Sequence, residues 1–473
     1  MRALRWILGS VLAVVVVIAL AIAIGVAWLN TYIHSAAFKA EIENRASQSL
    51  GGTVQIGQVD FNVFSGVKLQ GLNTQIEPGH AGGQGALEVK VANVSCSYAW
   101  KELLHRRLKL TGVTLEQPQI VLTRQSIQPL PPPPVSTVPA PEPAPATNPS
   151  AVNTPAQSST ETLNVFPPAK ITTAIPFQFI LDEAKINNGS VSVLNASGAS
   201  MVNLQGVDVA ADTAGYTEGK AITGKLKIAD IVVSPNFHIT SFSTPFTYDD
   251  KTGLAANPFE ASAYGGNIGG DYSPQPSGAS ILNLNGKGFD VAQLTAATIS
   301  DSSAKLTGTL DFQSKWRGVE SGDLDGEGDA QIAEGKLVGV KILQDLGQIL
   351  KIKELNEPII KKGQTHFLVQ NRQTQLTGLQ IESSVFSLTG DGTISFDGPL
   401  NLNMVLILTR EAMQKLPKEA AASFVAQQDG TGSIAFHVAG TTSNPTTDLP
   451  ERLLLQNTQI QNVLNKAINR FFH

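Results

Sequence analysis

The chain has 473 residues, a formal net charge of −5 and 15% charged residues, where an ordinary globular chain carries about 25%. No basic surface points to nucleic acid, and a single cysteine, Cys96, excludes an internal disulfide. Forty-two glycines, with abundant Val, Ile, Leu and Thr, favour β-structure over helix.

The first strong pattern is Ile7 to Leu29, ILGSVLAVVVVIALAIAIGVAWL, which holds no charged residue. A helix crossing the hydrocarbon core needs about 20 such residues. Arg2 and Arg5 precede the run, so the positive-inside rule keeps residues 1–6 in the cytoplasm and sends the rest across. The competing reading is a cleaved signal peptide, whose apolar stretch is usually about 7–15 residues. The longer run, with Trp28 and Tyr32 at its outer end, favours an uncleaved anchor over 7–29.

Residues 30–128 then read as a membrane-proximal β region. It begins with a short helix over 30–50, on the spacing of Ile33, Ala37, Ile42 and Ala46, stopped by Gly51-Gly52. From Thr53 the period becomes two, most clearly at Leu87, Val89 and Val91, as expected for antiparallel strands with one apolar face. Cys96 falls in such a run and reads as a small buried apolar residue. The basic cluster in Trp100–Arg107, WKELLHRR, reads as a solvated turn.

Residues 129–168 hold 13 of the 26 prolines. Proline lacks the N–H donor and fixes φ, so this stretch reads as an extended or disordered linker or insertion.

The strand pattern returns over 169–449, with Gly and Asn every ten or so residues, as a loosely repeated hairpin. Two helices interrupt it: Val340–Leu355, with Ile342, Leu346, Ile349 and Leu350 on one face, and Arg410–Gln428, broken by Pro417. Residues 450–473 read as a last helix, with Leu453, Ile460, Val463, Leu464, Ala467 and Phe471 mostly on one side.

About twenty strands are expected, and so few helices cannot cover them. The sheet must fold onto a second sheet, close on itself, or curl into a groove that holds something apolar. In the strand from Leu400 to Leu408, Leu400, Leu402, Met404, Leu406 and Leu408 line one face, while Val405 and Ile407 predict burial on the other face at one end.

No catalytic constellation is present: no HExxH, GxSxG, phosphate-binding glycine loop or CxxC. The seven histidines are scattered, with His437 on the polar side of a strand. Asp323, Asp325, Glu327, Gly328 and Glu334 match several EF-hand positions. The flanking glycines argue against the required helices, and a hairpin with its turn at Glu334-Gly335 fits better. No enzyme activity, cofactor or metal is expected.

In order, several stretches resemble the AsmA family of bacterial envelope proteins: the apolar N-terminal run, LGGTVQIGQVDF, YAWKELLHRRLKLTGVTLEQPQIVLTR, AYGGNIGGDY, LNGKGFDVAQL, GEGDAQIAEGKLVGVKILQDL, LTGDGTISFDGPLNLNMVLIL and VAGTTSNPTTDLP. The family is related to TamB-type lipid-bridge proteins. The resemblance implies a single-pass inner-membrane protein with a periplasmic, mainly β body: a long curved antiparallel sheet, groove or sandwich, with C-terminal helices. It implies phospholipid as the ligand, other envelope proteins as possible partners, and a role in outer-membrane assembly. The alternative is a non-enzymatic envelope scaffold. At about 4.8 Å per strand, twenty strands make a groove of roughly 100 Å. Its candidate lining is Leu87, Val89, Val91, Leu306, Leu310, Phe312, Leu400, Leu402, Met404, Leu406 and Leu408, although plain core would use the same residue types.

Overall fold

A computed structural model describes residues 36–62, 66–76, 85–103, 107–124, 178–214, 216, 219–233, 237–275, 279–298, 305–318, 325–339, 341–396, 398–441 and 444–454. The expected anchor at 7–29 and the proline-rich stretch at 129–168 lie outside these residues, as does the predicted last helix beyond Leu454. Among the described residues no helix is long and apolar enough to cross a membrane.

The described chain is mainly β, with 70% strand and 14% helix. The first strands are β1 (Gly52–Asn62), β2 (Gly66–Ile76), β3 (Gly85–Tyr98), β4 (Arg107–Glu116) and β5 (Gln119–Arg124). The second group comprises β6 (Gln178–Leu181), β7 (Glu183–Leu194), β8 (Ser200–Asp212), β9 (Ile222–Val233), β10 (Phe237–Asp249), β11 (Gly253–Ala263), β12 (Gly266–Pro274) and β13 (Ser280–Asp290). Next come β14 (Lys305–Leu306), β15 (Thr309–Arg317), β16 (Asp325–Val338), β17 (Ile359–Gln370), β18 (Gln373–Ser383), β19 (Phe386–Ser395) and β20 (Leu400–Leu408). The last are β21 (Val425–Ala426), β22 (Gly432–Gly440) and β23 (Pro445–Thr447).

All 23 belong to one curved, mixed sheet. Nearly every strand pairs antiparallel with its sequence neighbour. The exception joins the two β regions: β4 pairs parallel with β6 and β7, and β5 pairs parallel with β7. A parallel pair needs a crossover of a dozen or more residues, and residues 125–177 supply one. The strands before and after the proline-rich stretch are therefore bonded directly, Val113 opposite Ala184 and Ile120 opposite Val191.

Bulges bend the strands and increase their twist. Three of those with a residue in the left-handed conformation, Asn188 (φ 51°), Gly288 (φ 75°) and Gly378 (φ 60°), share one kind of hydrogen bond. Each backbone N–H there donates to a carboxylate on the adjacent strand: Asn188 to Asp208 Oδ1 at 2.8 Å, Gly288 to Asp311 Oδ1 at 2.8 Å, and Gly378 to Asp391 Oδ1 at 2.7 Å.

The helices sit at the margins. Helix α1 (Ala36–Leu50) flanks β1, the first edge of the sheet. Ser47 Oγ accepts the Val54 N–H at 2.9 Å and Glu43 Oε1 accepts the Ile56 N–H at 2.7 Å. These acceptors occupy edge donors that would otherwise be free to template another strand. Helix α2 (Trp100–Leu103) is one turn, and α3 (Val291–Thr298) was not expected. Asp290 starts α3: its Oδ1 accepts from Ala292 N at 2.8 Å, and Gln293 Nε2 returns to its Oδ2 at 3.1 Å. The helix predicted over Val340–Leu355 is α4 (Lys341–Leu350) followed by a 3₁₀ turn at Lys353–Leu355. The one predicted over Arg410–Gln428 divides at Pro417 into α5 (Arg410–Lys415) and α6 (Lys418–Ala421), and Val425 and Ala426 form β21 instead. Helix α7 (Leu449–Leu454) follows β23.

Two cores result. The first joins apolar residues of β1–β5 and β7–β11, including fully buried Leu110 and Val113; among the described side chains α1 adds Ala46. Each such Leu contributes about 1.5–3 kcal/mol on burial. With so little helix over it, this part of the sheet buries its apolar side chains against one another, which requires the sheet to bend around that side. The second core gathers Leu350, Ile352, Leu355, Ile360, Phe386, Leu406, Leu408, Ala412, Phe424 and Leu453. Helices and strand ends close together there.

Candidate functional site

Opposed residues on neighbouring strands point to the same face of a sheet. One row across the second half runs Leu400, Ile394, Thr374, Val369, Gly326, Trp316, Leu282 and Tyr272. A second runs Leu402, Gly392, Leu376, Phe367, Gly328, Ser314, Leu284 and Gly270. Neither carries a charged side chain. The opposite face is polar: Glu327 opposes Lys315, which opposes Asn283, which opposes Asp271.

The apolar face continues into the first core, where Val113 opposes Cys96, which opposes Val67, and where Leu87 opposes Leu122 and Ile76. All eleven residues expected to line a groove fall on this one face. They do not share one environment. Leu87, Val89 and Val91 are buried in the first core and Leu406 and Leu408 in the second, while Met404 is buried next to the second without belonging to it. Leu306, Leu310, Phe312, Leu400 and Leu402 are half-buried. Val405 and Ile407, on the other side of β20, are half-buried too rather than buried, so the fully buried positions of that strand, Met404, Leu406 and Leu408, all lie on its apolar face.

Between the cores the face is open. Leu282, Leu284, Trp316, Ile332, Phe367 and Leu376 are half-buried beside Leu310 and Phe312. Sequence reading missed Trp316 and Phe367 as members of this patch. A signal existed: Gly326 and Gly328 are two apart on one strand, hence on one face. A Cβ on Gly326 would collide with the Trp316 ring, and one on Gly328 would stand 2.7 Å from Phe367 Cζ. The same relation holds for Gly286 with Phe312 and for Gly270 with Phe259, the latter at 2.7 Å. Rings thus lie down over glycines and pave a low apolar floor. Trp316 Nε1 donates to Ser314 Oγ at 3.0 Å, which satisfies the indole along its own strand.

The EF-hand alternative does not survive the backbone. Asp325, Glu327 and Asp329 lie on β16, on the polar face, and Asp329 Oδ1 is 3.0 Å from His366 Nδ1. Glu334 (φ 52°) is a bulge inside β16, not the predicted turn, because pairing continues to Lys336 opposite Ile359. Among the described residues no group of three or more His, Cys, Asp or Glu could hold a metal ion. His437 opposes Asn403 on the polar face, its Nε2 2.8 Å from Asn401 Oδ1. Burial pushes the Cys96 thiol up to about 12, far from the range in which a thiolate reacts.

Searches against protein-family models and against curated proteins return no match for the chain.

Proposed function

We propose that this chain is a membrane-anchored, non-enzymatic lipid-handling protein of the AsmA type, held in a bacterial inner membrane by residues 7–29. Its amino-terminal residues are cytoplasmic, its β body is periplasmic, and its phospholipid cargo serves outer-membrane assembly. One observation carries this reading: a continuous apolar face, free of charge in its central rows, stays half-exposed between two closed cores. Half-exposed apolar area of this extent on a soluble body is costly unless something apolar visits it. Acyl chains laid on the paved floor would shed water at about 0.8 kcal/mol per CH₂, while head groups stay at the open margin. The mechanism is passive shielding.

The test is native mass spectrometry of residues 31–473 purified from a membrane-containing host. Co-purifying phospholipid that is lost in a folded Leu402→Asp/Phe312→Asp variant supports the reading. A stable, lipid-free protein sinks it. That outcome favours a scaffold for other envelope proteins, a reading supported by the fully closed first core.

A further inference from the structure

The polar side of the sheet carries a cavity of its own, behind β20. A depression of about 470 Å³ opens over β18, β19, β20 and β22, beside α7. That volume falls within the range of about 300–1,000 Å³ usual for small-molecule sites. Register puts two short rows in it: Thr389, Val405 and Ala435, then Asp391, Asn403 and His437. Gln380 closes one side, opposite Thr389, and Arg452 of α7 stands at the other.

The chemistry of the lining selects the occupant. Val405 and Ala435 stand side by side as two apolar side chains in a floor that is otherwise polar. Around them are hydrogen-bonding groups that the fold has not used. Among the described residues neither Asn403 nor Thr389 finds a side-chain hydrogen-bond partner. Asp391 gives Oδ1 to the Gly378 N–H and keeps Oδ2. His437 Nε2 donates to Asn401 Oδ1 at 2.8 Å, which leaves Nδ1 as an acceptor. Arg452 spends Nε on Asp448 Oδ2 at 2.7 Å and keeps its terminal N–H donors. That ion pair, with Asp391 in the same cavity, disfavours a small anion, and one unused carboxylate oxygen is too little to hold a cation. The groups that remain suit a neutral ring. Its hydroxyls, each both donor and acceptor, meet the mixed rim, and its C–H face meets the apolar pair.

We propose that this cavity binds a saccharide. One pyranose ring sits with its C–H face on Val405 and Ala435, and its hydroxyls bond Asn403, Asp391, His437 and Arg452. The site lies on the opposite side of β20 from Leu402 and Met404. It therefore does not rest on the lipid reading, and the two faces can be occupied together.

The experiment is an array of pyranose monosaccharides and disaccharides probed with the full chain in a detergent that carries no sugar. The strongest binder is then titrated by calorimetry. The expected result is saturable binding of at least one glycan. Asn403→Ala, at an exposed side chain with no partner to lose, should weaken it about tenfold. Ala435→Trp, which fills the cavity from an exposed position, should abolish it. Gln331→Ala lies on the same polar face, two strands beyond Gln380, and should bind as the parent does. All three variants should melt with the parent. Absence of binding across the array overturns the proposal, as does binding of inorganic phosphate without any glycan. Binding that survives in a folded Ala435→Trp variant overturns it, and so does an equal loss in Gln331→Ala. Unchanged affinity in Asn403→Ala overturns it whether or not the tryptophan variant folds.

Discussion

Phe312 lies over Gly286 of the neighbouring strand, in the space a Cβ would need. The two oppose each other directly, on β15 and β13. The ring covers backbone that a side chain would otherwise cover, and the glycine lets it lie down. Gly286→Ala should force the ring upward and destabilise by about 1–3 kcal/mol, the usual range for overpacking. In the double variant with Phe312→Ala the clash has no partner, so the two effects should be clearly less than additive in urea unfolding. Strict additivity would mean the ring does not depend on the glycine.

Asp311 accepts the N–H of bulged Gly288. Asp311→Ala should cost about 0.5–1.5 kcal/mol and speed hydrogen exchange of the Gly288 amide. Exchange at the neighbouring ladder positions should change much less. Asp208 and Asp391 hold the same relation to Asn188 and Gly378 and should behave alike.

Glu43 and Ser47 occupy the edge donors of β1. Replacing both with Ala should raise exchange at the Val54 and Ile56 amides. It should also produce concentration-dependent self-association, read by sedimentation, because a free edge recruits strands. A variant that stays monomeric would show that the side-chain caps are dispensable.

Cys96 should resist a thiol reagent in the folded protein at pH 8 and react fully on unfolding. A thiol whose folded value is raised disfavours ionisation in the fold. Its contribution to stability is complete below the unfolded value near 8.5 and is lost as pH climbs toward about 12. Rapid native labelling would contradict this.

Asp448 links α7 to β22, accepting the His437 N–H at 2.7 Å and Arg452 Nε at 2.7 Å. Burial pushes its carboxyl up, but the His437 amide and the Arg452 guanidinium outweigh that and hold it below the ordinary carboxylate range. A lowered value gives stability that is present above about pH 4 and lost as pH falls through the folded value. Exchange at the His437 amide should rise in that acid window, and Asp448→Asn should flatten the dependence.

The strands were legible because side chains alternate at period two, and a residue such as Val89 or Leu402 declares its face by its neighbours. Helix α3 was missed, although Asp290 and Gln293 form a capping pair at the right spacing. Glu334 misled for a different reason. A turn and a bulge both use a left-handed residue followed by small ones, and only the continued pairing of Lys336 separates them. The parallel junction was beyond sequence reading, since nothing local to Val113 or Ile120 names a partner some seventy residues away. The eleven groove candidates share one face of the sheet. Which of them are open was not legible, because helices after Leu408 and a bend near β1–β11 decide it, while core and groove use the same side chains.

The parallel junction at Val113–Ala184 and Ile120–Val191 means that covalent continuity through 125–177 is not what unites the two halves. A protease site placed among the prolines should yield two fragments that elute together and melt as one. Fragments expressed separately should reconstitute the same body, which makes this stretch a natural place to split the protein into complementing parts.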